Sequence, residues 1–224
     1  MAFDMTAAKE RLSSALDCAA AEFKPNTVVS VFKDGVPVLR KGYGTAKETD
    51  RFVMTLECDI FLSLMALLLI ERKKLRFSDK LSRYIPEYKH AGEITVRNLM
   101  DKKTGIRDFF YGEIMRRMDE ADSGISDEER RLRDTAASAK YYSIEEVLAL
   151  VGEAELEAKP GTEEQWGMAT EPFLRTVIER AAGKSLWEFA EESIFRPLGM
   201  KNTRRGGESI EYSVIFRNEK LLPF

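Results

Sequence analysis

Apolar residues recur at helical spacing from the start of the chain. Leu12, Leu16, Ala19, Ala20 and Phe23 share one side of a helical repeat, which predicts an amphipathic helix over 5–23 stopped by Lys24-Pro25. The period then falls to two. Val28, Val29, Val31 and Phe32 form a β-rich run, Asp34-Gly35 is a two-residue turn signal, and Val36, Val38 and Leu39 return, so a hairpin is expected before Gly42-Tyr43-Gly44. Over 60–72 the chain is apolar nearly all round and reads as a buried helix, which Leu75, Phe77, Leu81, Tyr84 and Ile85 continue as a short amphipathic piece as far as Pro86. Thr95 is the expected N-cap of another short helix that exits at Thr104-Gly105, and Ser143-Ile144-Glu145-Glu146 is a capping box ahead of Val147, Leu148 and Leu150. Phe173, Val177 and Ile178 mark one more amphipathic helix, stopped at Gly183. Charge dominates 112–140, where solvated helix and loop are expected, not a binding site.

Composition narrows the class. With 224 residues and 44% apolar content the chain can bury one sizeable core, or one domain with a smaller appendage. Its 38 acidic and 35 basic residues are well mixed, so no broad basic field exists for nucleic acid, which is excluded as a partner. Met1-Ala2-Phe3-Asp4-Met5 has neither a basic nor an apolar leader pattern, and the apolar run 60–70 is too short to cross a bilayer. A soluble cytoplasmic protein, without membrane contact, is the expectation. Cys18 and Cys58 make no disulfide framework or metal site and are expected as buried or half-buried thiols. The single histidine, His90, is expected in a solvated loop. No metal or cofactor is called for.

The stretch 159–203 carries the most specific pattern: Lys159-Pro160-Gly161-Thr162, the helix, Ala182-Gly183-Lys184-Ser185, then Ile194-Phe195-Arg196-Pro197-Leu198-Gly199-Met200-Lys201-Asn202-Thr203. Together with Leu69-Ile70-Glu71-Arg72-Lys73-Lys74-Leu75, Asp79-Lys80-Leu81-Ser82-Arg83-Tyr84-Ile85-Pro86, Ile94-Thr95-Val96-Arg97-Asn98-Leu99-Met100 and the opening helix and hairpin, it resembles the serine β-lactamase and penicillin-binding-protein-like family. The likeness is strongest to class C β-lactamase-like esterases and peptidases, and covers about residues 5–205.

The resemblance implies an α+β fold: one domain over 1–224, with 5–45 and 205–224 giving a reduced antiparallel sheet and its flanking helix, and 59–204 a mainly helical subdomain. Ile210-Glu211-Tyr212-Ser213-Val214-Ile215-Phe216-Arg217 alternates and is the expected C-terminal strand. A lone two-stranded hairpin is only marginally stable. If the sheet edge stays uncovered, a homodimer is expected.

The family's chemistry requires a serine with a lysine one helical turn later, S-x-x-K, so that an amine with depressed pKa takes the hydroxyl proton. After Phe61, Ser63 is the hydroxyl available and Ala66 stands where lysine is needed, with the run to Glu71 about two turns too short. The Y-x-N motif, in the register of Pro160-Gly161-Thr162, falls on Trp166-Gly167-Met168. An indole N–H donates a hydrogen bond but is no phenolate base, and a thioether replaces an amide poorly. Lys103-Thr104-Gly105 spells the third motif, K-T-G, but lies between helical stretches and reads as a decoy. The true third motif is expected well beyond 205.

Two functional readings follow. The first is a family member without catalysis, serving as a binding or scaffold module or a remnant, with Trp166 and Met168 filling the ligand space. The second is a working serine hydrolase on small esters, amides or peptides through Ser63, or a longer enzyme of which segments are missing here.

Overall fold

The computed structural model describes residues 4–50, 58–121, 124–165 and 167–203. They fall into two compact units, one containing 4–50 and the other 58–203. The expected strand at 210–217 and Trp166 lie outside the described residues.

The first unit begins with α1 (Met5–Phe23), whose N-cap Asp4 accepts from the Thr6 and Ala7 amides at 3.0 and 3.1 Å. Lys24, left-handed at φ 47°, ends it ahead of Pro25. Strands β1 (Val28–Lys33) and β2 (Val36–Gly42) pair antiparallel. Asp34 and Gly35 both have positive φ, 51° and 76°, the mirror-type turn whose twist matches a hairpin. Lys41 on β2 reaches Asp17 on α1 at 2.6 Å, and the Tyr43 hydroxyl donates to the same carboxylate at 3.0 Å. Only Val38 and Leu39 of this unit are buried among its described apolar residues. Cys18 is exposed, contrary to the buried or half-buried thiol expected of it, because no residue of α1 is buried.

The second unit is helical: α2 (Cys58–Glu71), α3 (Val96–Met100), α4 (Arg116–Ala121), α5 (Asp127–Ala139), α6 (Ile144–Val151), α7 (Glu171–Ala182) and α8 (Leu186–Ala190). Helix α2 packs on α7 and α8. It is not buried all round. Leu62, Met65, Ala66 and Leu69 enter the core, whereas Ile60, Leu64 and Leu67, spaced four and three apart on one face, are exposed. Lys73, at φ 58°, turns the chain out of the helix, so the expected amphipathic continuation reduces to one 3-10 turn, Leu81–Arg83. Leu75, Leu81 and Ile85 still reach the core, from irregular backbone.

Caps set the remaining boundaries. Thr95 with Asn98, Ser143 with Glu146 and Ser185 with Glu188 form reciprocal capping boxes at α3, α6 and α8. The charged segment opens with a π-helical turn, Phe110–Met115, in which Glu113 is buried and pairs with Arg107, Arg116 and Arg117 at 3.0, 3.2 and 3.3 Å. His90 departs from the solvated loop expected of it. It is buried between Tyr88 and Ala91, because the turn after Ile85 folds its apolar residues inward and carries the imidazole with them.

Candidate functional site

Two helix N-termini and two loops of the second unit converge. Asp59 lies in the first turn of α2, and Glu171 opens α7. Between them comes the loop after α3, where Lys102 adopts a left-handed conformation, φ 53°, and sets its Nζ 2.5 Å from Asp59 Oδ2. Glu171 accepts from Arg175 Nη1 at 2.9 Å. Arg175 also donates to the Tyr142 carbonyl and lies under the Tyr141 ring, 4.0 Å from its centre. Burial pushes the Glu171 carboxyl above the usual carboxylate range. The Arg175 guanidinium opposes that rise and the Asp59 charge adds to it.

The loops are sewn together by one amide. Gln165 Oε1 accepts from Thr104 Oγ1 at 2.9 Å and from the Gly105 amide at 2.7 Å, while its Nε2 donates to the Ile106 carbonyl at 3.1 Å. The Gln165 backbone N–H donates to the Lys102 carbonyl at 2.8 Å, which fixes the strained residue in place. Glycine is required at 105: φ is 74° and a Cβ there would stand 1.9 Å from the Ala158 carbonyl oxygen. Asp108 then clamps the start of the next segment, accepting from the Tyr111 amide through Oδ1 and from the Met168 amide through Oδ2, both at 2.7 Å.

The residues singled out from the sequence occupy different parts of this neighbourhood. Ser63 is half-buried on α2, one turn past Asp59, and its hydroxyl has no hydrogen-bond partner among the described residues. Ala66 is fully buried in the core. Met168 is half-buried against the core cluster. Lys103-Thr104-Gly105 belongs to the loop just described, with Thr104 fully buried and engaged by Gln165, so its hydroxyl is occupied structurally. The sequence reading missed Asp59, Lys102, Glu171, Gln165 and Asp108. Asp59 and Glu171 carried a local signal, an acid in the first turn of a helix. Lys102 carried none, because its approach to α2 is a long-range contact.

No cluster of metal-ligating groups occurs among the described residues, and no described helix is long and apolar enough to cross a membrane.

Comparison with known proteins gives a consistent picture. Residues 18–211 match a family model described as Beta-lactamase. Protein flp of Staphylococcus aureus (strain MW2) is 23% identical over 192 residues, 80% of this chain and 34% of its own length. Among solved structures, the octameric penicillin-binding protein homologue from Pyrococcus abyssi superposes with TM-score 0.68 at 22% identity, covering 91% of this chain and 46% of that one. A D-stereospecific amidohydrolase from Streptomyces sp. gives TM-score 0.65 at 19% identity, with 89% and 56% covered. At such identities the structural likeness speaks for the fold alone. The chain spans about a third of the length of that curated relative and about half of these structures.

Proposed function

The chain belongs to the beta-lactamase family, and from that premise we propose that it keeps the family's serine-hydrolase framework without working acylation chemistry, serving as a binding or scaffold module. The observation that carries this reading is the pairing at the N-terminal end of α2. An ammonium at that end, Lys102, is held by Asp59, and Ser63 has no hydrogen-bonded base among the described residues. That contact directs the ammonium at a carboxylate and not at the Ser63 hydroxyl. Helix α2 already includes Cys58, three residues before Phe61. The apparent shortfall of about two turns therefore closes if the S-x-x-K register is moved back by about seven residues, onto Leu56 and Asp59. Asp59 would then replace the base with its opposite charge.

A second reading rests on the same ammonium. Lys102 comes to α2 from a neighbouring loop, one turn from Ser63, and a substrate that displaced Asp59 would leave an amine near a hydroxyl. Small esters, amides or peptides are the ligands to try. Hydrolysis of a chromogenic β-lactam and of a p-nitrophenyl ester separates the two. The scaffold reading expects rates equal to buffer. Turnover that disappears in Ser63→Ala, with the fold intact by circular dichroism, establishes the hydrolase instead.

A further inference from the structure

The only imidazole in the sequence sits where two segments of the helical unit meet. His90 has a side chain just 10% exposed, with Nδ1 2.7 Å from Glu93 Oε1. Its Nε2 is buried, lacks a hydrogen-bond partner, and faces Glu155 Oε2 at 3.6 Å. Glu155 belongs to the connection between α6 and α7 and is gripped by Lys89 as well. The Tyr88 ring packs edge-on against the imidazole, with centroids 5.8 Å apart. The titratable groups around His90 are therefore Glu93, Glu155 and Tyr88, with Lys89 behind Glu155 and Glu153 acting on Lys89.

Proton count decides how many of these contacts hold. A neutral imidazole has one N–H and can donate to one of the two carboxylates, whereas an imidazolium donates to both. Histidine is the side chain that changes charge between about pH 5 and 8. We propose that His90 is a pH-operated clamp: protonated, it closes Nε2 onto Glu155 and adds a second contact, beside Lys89, that holds segment 153–158 against the turn 88–93, and on losing that proton it leaves Glu155 to Lys89 alone. Glu155 stays ionised while the clamp works, because Lys89 first, and then His90, holds its carboxyl below the usual range. The direction is fixed by charge. Acidification through the histidine range tightens the segment, and rising pH loosens it.

The clamped segment is the one that frames the candidate site. The Glu157 amide donates to the Gly105 carbonyl at 2.8 Å, the Ala158 carbonyl lies against Gly105, and Gln165 further along holds Lys102, Thr104 and Ile106. The state of one buried ring thus reaches the loop that presents Lys102.

A single histidine makes the test unambiguous. In the isotopically labelled chain of 224 residues, the imidazole carbon-bound protons and the backbone amides are followed by NMR from pH 5 to 8. The amides of 153–158 are expected to shift with the same midpoint as the ring, and their hydrogen exchange, corrected for intrinsic pH dependence, to slow severalfold on the acid side. Glu155→Gln, at a side chain 78% exposed and so safe for folding, is expected to abolish the response of the segment while the ring still titrates. The proposal is overturned if the ring does not titrate in that range, if the segment ignores it, or if Glu155→Gln leaves the segment's response intact.

Discussion

Helices α2 and α7 meet in two chemically opposite ways. Along their inward faces Leu62, Met65, Ala66 and Leu69 join Phe173, Leu174, Val177 and Ile178 in one apolar core. At their N-terminal ends the same helices present Asp59 and Glu171, each engaged by a cation of this chain, Lys102 and Arg175. The apolar seam is what a framework needs, since burial of side chains stabilises without reference to any ligand. The polar end is where a catalyst would keep a group in reserve, and here the charges satisfy one another. Support and chemistry are separable along a single pair of helices.

The largest test breaks the seam. Phe173 is fully buried, and Phe173→Ala should cost about 3–5 kcal/mol, read as a lower urea midpoint by circular dichroism. A loss below about 1 kcal/mol would show that the seam does not support the unit. Next comes the loop that carries Lys102. Gly105→Ala sets a Cβ against the Ala158 carbonyl in a left-handed backbone, and should cost about 1–3 kcal/mol. Amide shifts should concentrate at 102–106 and 157–165. The smallest effect belongs to the ion pair. Asp59 and Lys102 side chains are 37% and 32% exposed, so a double-mutant cycle of Asp59→Asn and Lys102→Met should give a coupling of about 1 kcal/mol or less. A coupling well above that would mean a pair far better shielded from water than its exposure implies.

Much of the framework was legible because it is written locally. The helix over 5–23, the Asp34-Gly35 turn and the Thr95 and Ser143 caps depend on residues within a few positions of one another, and each occurs where the pattern puts it. What misled were features decided by the tertiary surroundings. An apolar run interrupted by Ser63 alone cannot say which side of α2 will face outward, so Ile60, Leu64 and Leu67 read as core. The polar neighbours of His90 suggested solvent, but Tyr88 and Ala91 pull that turn inward. The site suffered most. Motif spacing pointed to Ser63 and Met168 as candidates, whereas the approach of Lys102 to Asp59 joins residues far apart in sequence and has no local signature.

The central claim is that this family framework stands without a reactive hydroxyl. Its most direct measurement is the intact mass of the chain after exposure to excess fluorophosphonate probe at neutral pH. An unmodified mass of 25.5 kDa is expected. A stoichiometric single adduct mapping to Ser63, and absent from Ser63→Ala, would contradict it.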